Sequence, residues 1–137
     1  MYMLIATYLV GFTVLPSVTA AKTVVKMIEK IQELTPPDFQ NTDGEAMKGK
    51  ANSMTRFIMV KEEHAQICKE QLLILWTDYF KPEHLEMFSD LHDTFWKAAK
   101  LCSKNKQEIS MEAAQELLKT VEGIADMFQK AEDAKAK

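Results

Sequence analysis

Cysteine, glycine, proline and arginine are all scarce in this 137-residue chain. Two cysteines are too few for a disulfide framework, which removes the small disulfide-stapled folds. Four glycines and four prolines are about 3% each, against average usage of roughly 7% and 5%. Turn chemistry is therefore thin. That excludes collagen-like and proline-rich chains and disfavours β-sandwiches with many turns. The single arginine, Arg56, and a formal charge of −3 point to no polyanion partner. What is present is 47% hydrophobic and 27% charged residues, the balance of a folded chain rather than a disordered one. Nine methionines are a high count, and helical spacing reads them as core filler.

Charge is also missing from the N-terminal segment, where Lys22 is the first charged side chain. Leu4 to Pro16 is strongly apolar. One reading is a signal peptide, with Val18 and Ala20 as the small residues before a cut at Ala21. It lacks the usual basic start. A second is a membrane helix over Tyr2 to Ala21, long enough to span about 30 Å at 1.5 Å per residue. A third is a buried first helix. The segmentation expected is residues 1–20 as signal peptide or membrane anchor and 21–137 as a helical-bundle domain. The corresponding location is exported (periplasmic or secreted) or membrane-anchored, with a cytoplasmic alternative.

The remainder reads as helix throughout. Residues 21–34 carry Val24, Val25, Met27, Ile28, Ile31 and Leu34 at three-to-four spacing, and Pro36-Pro37 ends them. Thr42 and Glu45 form a capping box before a long helix, about 43–80. Its seam of Met47, Ala51, Met54, Ile58, Lys61, Ala65, Cys68, Leu72, Leu75 and Tyr79 alternates four and three apart, with Lys61 the one polar exception and a candidate bend. Pro82 opens a third helix, about 82–103. Ser110 caps a last one, about 111–134, in which Gly123 marks a candidate close helix contact. Short connections make antiparallel neighbours. The expected class is all-α: an up-and-down antiparallel bundle of three to four helices with a long second helix, preceded by the apolar segment.

Few residues offer chemistry. In a straight hairpin turning at Lys81, Cys68 and Cys102 would differ in height by about 12 Å, beyond the roughly 7 Å between Cα atoms that a disulfide tolerates. Two reduced, buried cysteines follow. His64 and Cys68 share a helix face at i, i+4, and with His84 or His92 they form the candidate metal set. No HExxH, CxxC, GxSxG, P-loop or GxGxxG motif occurs. The aromatic group around Lys81-Pro82 supplies candidate partner-binding residues, Trp76, Tyr79, Phe80 and Trp96.

In layout alone, with its Thr-Pro-Pro loop and polar, alanine-rich last helix, the chain resembles secreted four-helix cytochromes of the b562 type. That resemblance implies a haem histidine on the last helix, and residues 93–137 contain no histidine. No cofactor is implied. The functional expectation is a non-enzymatic interaction protein, exported or membrane-tethered: an adaptor, accessory subunit or binder. The alternative is a small-ligand or metal carrier using the bundle interior beside His64 and Cys68. Expected partners are a protein or a second copy, a membrane through residues 1–20, and no nucleic acid.

Overall fold

The computed structural model describes residues 11–34 and 44–136. Four α-helices run Leu15–Glu33 (α1), Gly44–Ile74 (α2), Leu91–Gln107 (α3) and Met111–Lys135 (α4), and no strand occurs among the described residues. Helix α1 packs on α2 and α4, α2 on α3, and α3 on α4, which closes a four-membered ring around one core. The expected all-α bundle with a long second helix is thus what the chain forms. The proposed Thr42 capping box lies outside the described residues.

Each helix buries one stripe. On α1 it is Ser17, Ala20, Ala21, Val24, Ile28 and Ile31. On α4 it is Ala113, Ala114, Leu117, Val121, Ile124, Phe128 and Ala131. This spacing places one residue per turn on a single face, and the alanines let the helix backbones approach closely. The methionines depart from expectation. None is among the fully buried residues described; Met54, Met111 and Met127 sit at the core's rim, and Met59 and Met87 are exposed.

Helix α1 continues through the supposed boundary at residues 20 and 21. Pro16 falls in its first turn, where a missing N–H costs nothing, so it starts the helix rather than breaking one. Ala20 and Ala21 are both core residues. Residues 15–20 are therefore part of the bundle, which corrects their assignment to a signal peptide or anchor. No helix among the described residues is long and apolar enough to cross a membrane. Residues 1–10 lie outside the described residues.

Lys61 is the second departure. It does not face water: α2 runs unbroken through it, and it is 1% exposed in its place in the seam. Its ammonium donates to the carbonyl oxygens of Asn105 (2.6 Å), Lys106 (3.1 Å) and Glu108 (2.9 Å). Carbonyls at a helix C-terminus lack intrahelical donors and carry the negative end of the helix dipole. A cation from α2 thus caps α3. Burial lowers the Lys61 pKa, with Glu62 opposing. The neighbouring Asn105 amide donates to Leu101 O (2.9 Å) and Ala113 O (3.0 Å), fastening the α3–α4 connection. At Ser110 the expected cap is present, its Oγ accepting from Ala113 N at 3.1 Å. Gly123 makes no close contact; it is exposed, and a Cβ there would meet nothing within 4 Å.

The connection between α2 and α3 is the third departure. Helix α2 runs into a π-helical turn, Leu75–Tyr79, closed by Phe80 N–H to Leu75 O at 3.0 Å. A 3-10 turn, Pro82–Leu85, follows, and α3 starts only at Leu91. The chain spends residues 81–90 crossing the end of the bundle rather than descending it.

Candidate functional site

That crossing builds the best-furnished end of the molecule. The π turn brings Tyr79 inward, where its ring meets Phe12 (5.6 Å between centroids), Phe80 (4.9 Å), Phe128 (4.6 Å) and His84 (5.9 Å, nearly parallel). Helix α4 adds Glu132 and Lys135 from its last turns. The Lys135 ammonium lies 4.7 Å from the Tyr79 ring centre and 3.5 Å from a Glu132 carboxylate oxygen. Tyr79 Oη and Glu132 Oε1 are both buried without a hydrogen-bond partner. Burial, then the Glu132 carboxylate beside it, raise the Tyr79 phenol well above its ordinary range. A phenol held protonated beside an ion-paired carboxylate and ammonium can retain its proton and offer a hydrogen bond. A cleft of about 200 Å³, lined by Glu83, His84, Met87, Ala131, Ala134 and Lys135, opens here.

The candidate metal set does not converge. His84 is buried at this end, and its Nδ1 accepts the Lys81 N–H at 2.9 Å, which leaves the neutral ring's proton on Nε2. His92 is exposed and its Nδ1 accepts from Trp76 Nε1 at 2.9 Å. His64 donates from Nδ1 to Val60 O at 2.9 Å. It lines a separate apolar cleft of about 350 Å³ with Leu15, Pro16, Thr19, Ala20 and Ile67. Cys68 is fully buried and donates to Ser17 O at 3.6 Å. Among the described residues no group of three or more His, Cys, Asp or Glu is placed to hold a metal ion.

The cysteines are nevertheless neighbours. Cys68 precedes Tyr79 by eleven residues, and Cys102 follows Leu91 by eleven, so the two stand level across α2 and α3. The expected 12 Å offset fails because it placed the hairpin vertex at one residue, Lys81, rather than at a flat crossing. Both thiols are free and buried. The hydrogen bond with Cys102, then burial, push the Cys68 thiol far above its ordinary pKa.

The aromatic candidates also divide. Tyr79 and Phe80 are interior, and Trp76 is half-buried, stacked on Phe95 at 6.0 Å. Trp96 is 54% exposed beneath the Lys100 ammonium (5.4 Å from the ring centre), and it alone of the four presents an open apolar surface. Sequence reasoning missed Glu132 and Lys135. Their signal was available as an acid and a base three apart on the last helix, which reads as an ordinary solvated pair.

Comparison with known proteins adds what local motifs do not. A family profile for nickel-containing superoxide dismutase matches residues 15–132, beginning where α1 begins. A superoxide dismutase [Ni] of Streptomyces seoulensis is 33% identical over 79 residues, 58% of this chain and 60% of that protein. The corresponding protein of Streptomyces coelicolor is 31% identical over 80 residues, covering 58% of this chain and 61% of its own length. The aligned stretch thus spans about three-fifths of these relatives. Among solved structures, a Ni-containing superoxide dismutase with its nickel ligation partially reduced by X-rays superposes with a TM-score of 0.73 at 25% identity, over 89% of this chain and 92% of that one. A cyanide-treated apo nickel superoxide dismutase gives 0.72 at 25%, over 89% and 96%.

Proposed function

The chain belongs to the nickel-containing superoxide dismutase family, and on that footing we propose that it serves superoxide dismutation, supplying the helical bundle on which the reaction is organised. The membership overturns the expectation of a non-enzymatic adaptor, accessory subunit or binder, and of a ligand carrier beside it: the matched relatives are enzymes by name. It also displaces the layout likeness to four-helix cytochromes.

The observation that carries the proposal is the match over all four helices, 15–132. The end cluster of Tyr79, Glu132 and Lys135 supports it. Dismutation converts two superoxide anions and two protons into dioxygen and hydrogen peroxide, so it calls for attraction of a small anion and a supply of protons. Lys135 brings an ammonium to the lining of the end cleft, its charge partly offset by Glu132 at 3.5 Å. Tyr79 keeps its proton, because burial and Glu132 oppose its loss, so it can offer a hydrogen bond at this end but does not itself supply the protons consumed.

The nickel that the family name implies would supply the electron transfer. The residues present do not fit it. All five cysteines and histidines of the sequence are among the described residues, and they surround no common point. No step is therefore assigned to a metal held by these side chains.

Self-association forms part of the same proposal. Leu15, Met59, Ile74 and Trp96 are large apolar side chains left exposed on the bundle. On this proposal some of these side chains are buried against a second copy.

Protein isolated from its natural source tests the reading. It should consume superoxide catalytically in a cytochrome c competition assay, run in parallel with light scattering for its mass in solution. A rate no higher than that of buffer with free nickel refutes the proposal.

A further inference from the structure

The family name and the donor inventory disagree, and the disagreement is itself informative. We infer that this chain forms no thiolate–nickel centre from its own side chains, and that a nickel serving it takes its ligands from outside this set of donors. The inference takes from the functional proposal only the question of nickel; the ligand argument stands on the structure.

The inventory covers every thiol and imidazole in this sequence. The sequence holds Cys68, Cys102, His64, His84 and His92, and each is described. Of the residues outside those described, 1–10 (MYMLIATYLV) add no Cys, His, Asp or Glu, and 35–43 add Asp38 and Asp43 but no Cys or His. Divalent nickel at a nitrogen and sulfur site favours a tetragonal arrangement of donors, and a thiol must lose its proton to ligate.

The two thiols are placed against this. Both are 0% exposed. Cys68 faces Ser17 O on α1 and Cys102 on α3, so its sulfur sits where three helices meet. One helical turn from Ser17, Cys68 and Cys102 stand Ala21, Leu72 and Ala98, buried core residues with no donor or countercharge. Bringing nickel there requires parting α1 from α2 and ionising a thiol in apolar surroundings that keep it protonated.

The imidazoles do not compensate. His84 and His92 spend their Nδ1 lone pairs on the Lys81 N–H and the Trp76 indole. Only His64, with Nδ1 donating to Val60 O, keeps Nε2 as an acceptor in its neutral ring. The cleft it lines is walled by Leu15, Pro16, Ala20 and Ile67, with the Thr19 hydroxyl as the nearest thing to a second donor. A lone imidazole in an apolar cleft binds nickel weakly.

The test uses the full chain, reduced and tag-free, mixed with nickel chloride and passed through a desalting column. Metal analysis should find at most about a tenth of an equivalent retained, since an unformed site gives no binding energy. The near-ultraviolet spectrum should show no thiolate-to-nickel band, and a thiol reagent should find both cysteines unreactive until denaturant is added. Nickel retained without that band, and unchanged in Cys68→Ser, also supports the inference, because the ligands are then not thiols. One equivalent retained with a thiolate-to-nickel band overturns it, whether or not the serine variant folds. Absence of dismutase activity in the natural protein would sink the functional proposal and leave this one standing.

Discussion

Replacing Lys61 by methionine keeps the apolar stem and removes the ammonium. Three carbonyl oxygens lose their donor: Asn105, Lys106 and Glu108. A hydrogen bond to a charged group contributes about 1.5–3 kcal/mol, and a cation at a partly buried helix C-terminus up to about 2. Against this stands the cost of burying an ammonium, several kcal/mol, which methionine does not incur. Two of the three bonds are only partly buried, so water can replace them in the variant. The Asn105 carbonyl, held by the shortest and fully buried bond, cannot recover so easily. The balance is a loss of about 2–4 kcal/mol. With a urea slope of roughly 2 kcal/mol/M for a chain of this size, the unfolding midpoint should fall by about 1–2 M. Circular dichroism at 222 nm across a urea titration reads it directly. A midpoint within about 0.2 M of the parent, or above it, would show that the ammonium's burial costs as much as its three bonds contribute, and the capping argument would fail.

Three further outcomes follow from particular residues. Gly123→Ala should raise stability by about 0.5–1 kcal/mol, since the position is helical, exposed and open to a Cβ; thermal melting that shows a loss would place an unseen contact there. Tyr79→Phe removes a buried hydroxyl that has no hydrogen-bond partner, so it should be neutral or stabilising by up to about 1 kcal/mol at pH 7. The folded-state Tyr79 pKa is raised, so the unfolded chain ionises first; the parent should lose stability as pH climbs above about 10, and the variant should lose less. Equal alkaline losses in the two proteins would contradict the burial of that phenol. Finally, intact-mass analysis of the natural protein should find residues 15–20 retained, because a cut before Ala21 removes the first turns of α1 with the buried Val14, Ser17 and Ala20; a mass starting at Ala21 is the opposing result.

The parts legible in the sequence were those fixed by short-range chemistry. Periodicity located all four helices, Ser110 announced its cap, and the scarcity of glycine and proline translated into few breaks. Features set by distant partners were not legible. Lys61 looks polar in a seam because its three acceptors lie more than forty residues away. Residues 81–90 looked helical because nothing local says that the chain must cross the bundle before descending. Residues 15–20 read as part of an address segment because the small, uncharged residues of a buried helix face are also those of a leader. The family likeness is not legible as a local motif because it extends over residues 15–132, the length of the bundle.

The strap from α2 to the end of α3 has a consequence in time. Its partners are 44 to 47 residues apart in the chain, so it closes only after the two helices have paired. A contact that forms late acts on the rate of unfolding rather than on the rate of folding. Loss of the Lys61 ammonium should then show mainly as faster unfolding, with the folding rate little changed.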